Sequence, residues 1–176
     1  MVYVVVLFVA LVVLFKTTVI RREPMRVFIL ALLLSICQFA FADCIRDIAK
    51  QNGLNEMDLR AIIRVESTGN PKAVHHDRNG SVSYGLMQIN SIHLPELRKK
   101  KVYAKDLFKA CTNVQFGATL LSRNLQRSGN MDRAIAMYNP GDPRYVRKVR
   151  QAASKIRQEQ VLARFAKSQP IEVADN

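Results

Sequence analysis

Histidine is scarce in this sequence, and its placement argues against a metal centre. The chain has only three histidines, and two of them, His75 and His76, are adjacent and followed by Asp77. Adjacent side chains rarely converge on one ion, because metal ligands come together at characteristic spacings. The sequence therefore predicts neither a bound metal nor another cofactor. It also has no nucleophile-elbow motif that would support a Ser/His/Asp triad.

Acidic residues are scarce as well. The chain has 27 basic and 14 acidic residues, a formal net charge of +13. Residues 43–176 alone contain 23 basic and 13 acidic residues, a net charge of +10. A charge of that size favours an anionic partner, such as nucleic acid, anionic lipid or a carboxylate-bearing cell wall. Charge alone does not choose among these three.

No apolar run reaches the roughly 20 residues that a membrane-spanning helix needs. The two longest runs cover residues 2–15 and 27–42. The second follows Arg26 and ends in Ala-Phe-Ala at residues 40–42, which is typical of a secretory signal and its cleavage site. Residues 25–42 are therefore predicted to be a signal peptide that directs the protein to the periplasm.

Two interpretations of residues 1–24 stay open. Met25 stands directly before a complete signal peptide, which favours Met25 as the true start and residues 1–24 as translated upstream sequence. The alternative is an apolar membrane segment that associates the protein with the inner membrane.

Export changes the interpretation of the three cysteines. Cys37 would leave with the signal peptide, so Cys44 and Cys111 would have one possible pairing in an oxidising compartment. Two free buried thiols are the alternative.

The rest of the chain has helical periodicity almost throughout. One mainly α domain is predicted over residues 43–150, followed by a basic helix end and disordered tail over 151–176. Asn55 and Gly69 are the expected caps of the second helix. The predicted elements are helices over 44–53, 56–68, 112–126, 131–138 and 144–165, a weakly helical stretch over 95–109, and a polar loop over 72–84 with at most a small β-hairpin.

One carboxylate lies on the apolar stripe of a predicted helix. Leu59, Ile62 and Ile63 recur at i, i+3 and i+4, and Glu66 follows Leu59 at i+7, on the same face. Desolvation and the negative end of the helix dipole both raise a carboxyl pKa. The pattern therefore predicts a general acid that keeps its proton near neutral pH. Periodicity alone leaves open a glutamate paired with a neighbour such as Arg64.

Three short blocks in the chain follow a recognisable order and spacing: Glu66–Pro71, Tyr84–Asn90 and Ala136–Gly141. They resemble the E-S-x-x-N-P, G-L-M-Q-I and A-x-Y-N-x-G motifs of the lysozyme-like lytic transglycosylase (SLT) family. The resemblance covers residues 44–150. It is strongest to the small single-domain members that accompany conjugation, pilus and type III secretion machines. Those members also pair two cysteines at positions equivalent to Cys44 and Cys111.

The resemblance implies a lysozyme-like, goose-type fold and a peptidoglycan lytic transglycosylase, a lyase. Glu66 matches the catalytic glutamate, which would protonate the glycosidic oxygen between N-acetylmuramic acid and N-acetylglucosamine. It would then take a proton from the muramic C6 hydroxyl and leave a 1,6-anhydro end. The implied substrate-binding residues are Ser67 beside the acid, Met87 and Gln88 in the glycan groove, Tyr138, whose hydroxyl would approach the acid, and Asn139.

The residues themselves leave several alternatives open. Met87 suits the core as well as the groove. One carboxylate suffices for intramolecular attack, but Asp77 would make a hydrolytic muramidase if it activated water instead of lying in a solvated loop. A non-catalytic peptidoglycan-binding assembly protein is a further alternative.

The predicted partners are the glycan strands of peptidoglycan and components of a secretion, pilus or conjugation machine. The basic helix from Arg144 is either a solvated face or a contact with the cell wall or the membrane. Nucleic acid is not a predicted partner, because exported proteins meet little of it.

Overall fold

Residues 44–168 are described by a computed structural model. The predicted signal peptide, the segment 1–24 and the tail beyond Ser168 lie outside the described residues. Among the helices of residues 44–168, none has both the length and the apolar composition needed to cross a membrane.

Helices dominate the described residues, as the periodicity predicts. A short 3-10 turn at Ala104–Phe108 lies in the stretch where the sequence indicates only weak helicity, and another at Ser91–His93 precedes that stretch. The α-helices are α1 (residues 44–51), α2 (Glu56–Ser67), α3 (Leu94–Lys99), α4 (Ala110–Ser128), α5 (Met131–Tyr138) and α6 (Tyr145–Ser168).

The limits of α2 are set by local hydrogen bonds. Asn55 caps its start, because its side chain accepts a hydrogen bond from the backbone N–H of Met57 at 2.8 Å. The predicted C-cap at Gly69 is one residue late. Thr68 takes the left-handed conformation at φ 55° and donates its N–H to the Arg64 carbonyl. The helix therefore ends immediately after Glu66 and Ser67.

A small antiparallel sheet follows α2. Its strands are β1 (Val74–His76), β2 (Val82–Tyr84) and β3 (Ile89–Asn90), in the order β1-β2-β3. The sheet has one short strand more than the expected hairpin, because Ile89 pairs with Tyr84. The turn at residues 85–88, within the second sequence block, connects β2 to β3.

The core forms where α2, α4, α5 and α6 meet. Tyr145, Val149, Ala152 and Ala153 of α6 are buried together with Leu59 and Ile62 of α2. The predicted domain end at residue 150 falls inside α6, and the core continues through Ala152 and Ala153. The mainly α fold class predicted for the chain is confirmed, with a small antiparallel sheet as its β part.

A disulfide joins Cys44 of α1 to Cys111 of α4, with 67 residues of sequence separation. It ties the start of the described chain to the first turn of the longest central helix. A cross-link that closes a loop of this length stabilises mainly by restricting the unfolded chain.

Removing the disulfide is expected to destabilise the protein by about 2–4 kcal/mol. The measurement is urea unfolding of the Cys44→Ser, Cys111→Ser double variant beside the wild type. A wild-type sample with dithiothreitol should unfold at the midpoint of the double variant. Equal midpoints for oxidised wild type and double variant would show that the two cysteines are not cross-linked in solution.

Candidate active site

Glu66 lies in the last turn of α2 and is half-buried. Burial raises the pKa of its carboxyl, because the charged form loses hydration. A hydrogen bond from Tyr145 and the positive charge of Lys148 oppose this and lower the pKa by less. The balance leaves the pKa raised, in the direction that the apolar stripe predicts.

Tyr145, the first residue of α6, holds this carboxyl. Its side chain is only 2% exposed, and its hydroxyl donates a hydrogen bond to Oε1 of Glu66. Burial and the Glu66 charge raise the pKa of Tyr145 far above its usual range, so the hydroxyl remains a donor. The resemblance did not single out this residue. The signal available in the sequence was the apolar series of Tyr145, Val149 and Ala152 at i, i+4 and i+7.

The hydroxyl of Tyr138, which the resemblance places near the acid, forms its hydrogen bond with the backbone and not with Glu66. Its hydroxyl donates to the backbone carbonyl of Met87 at 2.9 Å, and Tyr145 takes the place beside the acid. Burial and the nearby charge of Glu66 raise the pKa of Tyr138, so this tyrosine lies next to the site. Its described role is to join the end of α5 to the turn at 85–88.

Met87 is a core residue, which corrects its expected place in the glycan groove. The side chain is fully buried and packs on Gly117 of α4, where an added Cβ would lie 2.5 Å from the Met87 sulfur. The contribution of Met87 to the site is its backbone. Its carbonyl holds Tyr138, and its N–H donates to the Oδ1 of buried Asn113 at 2.8 Å.

Asn113 is the main anchor of the turn that carries Met87. It is fully buried, and its Nδ2 donates to the carbonyls of Tyr84 and Leu107, each at 2.8 Å. With the bond from the Met87 N–H, one side chain fixes both ends of the turn to α4. A buried amide with this number of partners strongly specifies the local backbone.

Ser67 and Gln88 are also committed to backbone contacts. The Ser67 hydroxyl donates to the Leu86 carbonyl at 2.8 Å, which fixes the end of α2 to the turn at 85–88. The Gln88 amide donates to the Gly85 carbonyl at 2.8 Å. Both side chains are half-buried, and both hold the backbone of the turn at 85–88.

Asn139 follows α5 directly and is half-buried. Among the described residues, none forms a hydrogen bond with its side-chain amide. Near the start of α6, Lys148 pairs with Asp142 at 2.6 Å and acts electrostatically on Glu66. Lys148 is therefore the cation that acts on Glu66, and the Asn139 amide has no partner among the described residues.

Asp77 belongs to the hairpin and has no contact with Glu66. Its Oδ2 accepts hydrogen bonds from Ser81 at 3.0 Å, from Asn90 at 3.0 Å and from Ser83 at 3.4 Å. No carboxylate is among the causes that shift the Glu66 pKa. The hydrogen bonds of Asp77 therefore join the strands of the small sheet.

Two residues with a strained backbone lie in the segments that surround Glu66. Three non-glycine residues of the described chain have φ in the left-handed region, and two of them are Thr68 and Gln88. Thr68 is β-branched, which makes a φ of 55° costly. Such conformations persist where the surrounding contacts fix them, and they are frequent at functional sites.

No group of three or more His, Cys, Asp or Glu side chains within residues 44–168 is arranged to hold a metal ion.

Replacing Tyr145 with phenylalanine tests its role as a positioning residue. Its hydroxyl stabilises the Glu66 carboxylate, so its loss should raise the Glu66 pKa further. The basic limb of the pH profile of kcat/KM should move to higher pH, because activity requires the protonated acid. The maximum rate should fall about tenfold, because the carboxyl loses its fixed orientation.

Tyr138→Phe is the matched control, since it removes a hydroxyl that donates to a backbone carbonyl. It should leave the position of the basic limb unchanged. If the two variants shift the limb equally, the Tyr145 hydroxyl does not act on Glu66.

Comparison with known proteins identifies the family of the chain. The family described as the Transglycosylase SLT domain matches residues 43–161. The chain belongs to this lytic transglycosylase family.

Individual relatives cover most of the described domain. "Invasion protein IagB" of Salmonella typhimurium is 36% identical over 115 residues, which are 65% of this chain and 72% of that protein. "Protein IpgF" of Shigella flexneri is 33% identical over 116 residues, 65% of this chain and 76% of that one. The solved structure of wild-type DslA is 19% identical, with a TM-score of 0.43 over 52% of this chain and 69% of that one.

Proposed function

We propose that this protein cleaves the β-1,4 bond between N-acetylmuramic acid and N-acetylglucosamine in peptidoglycan and leaves 1,6-anhydro ends. The observation that carries the proposal is the Glu66 carboxyl. It is half-buried at the end of α2, has a raised pKa and is held by the Tyr145 hydroxyl. The family match supports the substrate class.

Glu66 would act first as an acid and then as a base. The protonated carboxyl gives its proton to the glycosidic oxygen as the bond to muramic C1 breaks. The resulting carboxylate takes the proton of the C6 hydroxyl as that oxygen bonds to C1. No water is consumed, and Glu66 ends in its starting protonation state. A raised pKa keeps the carboxyl protonated before the first step and makes the carboxylate a stronger base for the second. The hydrogen bond from Tyr145 stabilises the carboxylate that forms between the two steps.

The two carboxyl oxygens of Glu66 have different surroundings. Tyr145 donates to Oε1, and no described residue donates to Oε2. Oε2 is therefore the oxygen available to the sugar. The reacting hydroxyl belongs to the substrate, so intramolecular attack needs no protein nucleophile. This agrees with a site where Glu66 is the one carboxylate and Asp77 is bound within the hairpin.

The experiment is mass spectrometry of the products released from purified sacculi. A transglycosylase gives 1,6-anhydro-muropeptides, which are one water lighter than hydrolysis products and are not reduced by borohydride. Reducing ends would instead identify a hydrolytic muramidase. Binding to sacculi without any release would identify a peptidoglycan-binding assembly protein. Either of these results contradicts the proposal.

We further propose that the cleavage opens the wall locally for a secretion, pilus or conjugation apparatus. The support is the resemblance to the small SLT members of such machines and the similarity to a protein named for invasion. Such a role places the enzyme in the periplasm, in contact with components of the apparatus. A strain carrying only the Glu66→Gln protein should grow normally and lose apparatus-dependent transport. Wild-type transport in that strain would exclude this role.

A further inference from the structure

The last three turns of α6, residues 157–168, extend away from the domain core. Every residue of this segment, called here the α6 tip, is exposed. The exposed residues include three large apolar side chains, Val161 at 48%, Leu162 at 68% and Phe165 at 64%. Residues 157–168 would span about 18 Å as an α-helix.

These apolar side chains lie on the opposite side of α6 from its core face. Helical geometry turns about 100° per residue. The core face contains Tyr145, Val149 and Ala152, whereas Val161, Leu162 and Phe165 share a sector centred about 180° away from it. The apolar surface of the helix therefore changes sides after Ile156. These three side chains, called here the apolar triad, therefore do not continue the core face of α6.

Positive charges border the apolar triad. Arg157 and Arg164 lie along one edge, and Lys155 lies along the other. Arg157 and Arg164 form no ion pair within residues 44–168. The nearby acid, Glu159, pairs with Arg64 of α2 at 2.8 Å. The tip is thus an amphipathic helix with unneutralised cations beside its apolar stripe.

The family match gives an independent reason to treat the tip separately. It ends at residue 161. Leu162, Arg164 and Phe165 lie beyond the matched residues.

We infer that the α6 tip docks on the surface of a bilayer that contains anionic lipid. A helix with cations beside a stripe of leucine, phenylalanine and valine lies in the lipid interface, where both parts are stabilised. A second copy of the chain would bring the same cations against these and repel them. The carboxylates of the cell wall would attract the arginines but would offer no apolar phase to Leu162 and Phe165.

Vesicle flotation tests this inference without requiring catalysis. The full chain is expressed so that the cell can remove the predicted signal peptide, and the protein that accumulates is purified. It is then mixed with vesicles of phosphatidylcholine alone or with added phosphatidylglycerol. All variants share one N-terminus, so differences between them report on the tip. Wild-type protein should bind the vesicles that contain phosphatidylglycerol at least about tenfold more tightly than the vesicles of phosphatidylcholine alone.

Two double variants separate the apolar and the charged contributions. Leu162→Ser with Phe165→Ser should weaken binding to the phosphatidylglycerol vesicles at least about tenfold. Arg157→Gln with Arg164→Gln should weaken it about tenfold and remove much of its salt dependence. The matched control, Arg127→Gln with Arg133→Gln, removes two exposed cations elsewhere and should bind nearly as the wild type does. Circular dichroism checks that helix content is retained.

Several results would overturn the inference. Equal binding to both kinds of vesicle would remove the anionic partner, and unchanged binding by the serine variant would remove the apolar anchor. A concentration-dependent dimer in analytical ultracentrifugation, lost in the serine variant, would show that a second copy covers the triad. If the serine and glutamine variants lost binding to isolated sacculi and kept their binding to vesicles, the α6 tip would contact the cell wall and not a membrane.

Discussion

Glu66→Gln is expected to reduce the release of muropeptides from sacculi by about 10²- to 10⁴-fold, the usual contribution of a general acid. The glutamine has nearly the same shape, and its side-chain oxygen can still accept the hydrogen bond from Tyr145. It has no proton to give to the glycosidic oxygen and cannot act as the base. The measurement is the initial rate of release at the optimal pH of the wild type.

Glu159→Gln is the matched control, since it makes the same chemical change at a carboxylate that is 58% exposed and paired with Arg64. It should retain the wild-type rate, because it lies 14 residues along α6 from Tyr145 and its side chain is exposed to solvent. Substantial activity of the Glu66→Gln protein would remove Glu66 from the catalytic role.

The same substitution should change stability in a pH-dependent way. The pKa of Glu66 is raised in the folded protein, so the folded state binds its proton more tightly than the unfolded state does. The stabilisation present below the unfolded pKa is therefore lost as the pH rises through the folded pKa. The difference in free energy of unfolding, glutamine variant minus wild type, should be larger at pH 8 than at pH 4. An inactive variant that is more stable at pH 8 would be inactive for a chemical reason.

The sequence predicts the acid better than its surroundings, for a physical reason. Glu66 shares one helix with Leu59, Ile62 and Ile63, so a periodicity of 3.6 residues is enough to place it on the buried face. Tyr145 reaches the same carboxyl from 79 residues away along the chain. Such a contact depends on how α2 packs against α6, which local spacing does not encode.

Met87 shows the same limit in another form. The block Gly85–Ile89 contains three apolar residues beside a glycine and a glutamine, and the sequence leaves Met87 open between core and groove. The decision depends on Gly117, because the absence of a side chain there makes room for the methionine sulfur. The short strand β3 is similar, since Ile89 and Asn90 become a strand only by pairing with β2.

Predictions from local capping match the structure, whereas the prediction for α6, which was made from its composition, is incomplete. The Asn55 cap and the bounds of α5 match the structure, because both are set within a few residues. The long helix α6 was expected mainly as a basic, solvated face. Its first turns are instead core, and the change of apolar side after Ile156 becomes visible only once the packed face is known.

Gly85→Ala is expected to be severely destabilising, by at least about 4 kcal/mol, with a fall of about 15 °C in Tm. Gly85 has a φ of +74°, which strains any residue with a side chain. An added Cβ would also lie 2.3 Å from Nδ2 of Asn113 and 2.4 Å from the Leu107 carbonyl oxygen. Neither neighbour can yield, because the amide and that carbonyl are hydrogen-bonded to each other.

Gly80→Ala separates the two causes. Gly80 has nearly the same backbone conformation, φ +81°, but nothing lies within 4 Å of an added Cβ. That variant should lose about 1 kcal/mol from strain alone. The excess loss at Gly85, measured by urea unfolding of both proteins, is then the cost of displacing Asn113 from the turn that carries the Met87 and Leu86 carbonyls.

Because these carbonyls hold Tyr138 and Ser67 beside Glu66, any folded Gly85→Ala protein should also release muropeptides more slowly. Equal stability losses in the Gly85→Ala and Gly80→Ala variants would mean that Asn113 does not anchor the turn at 85–88.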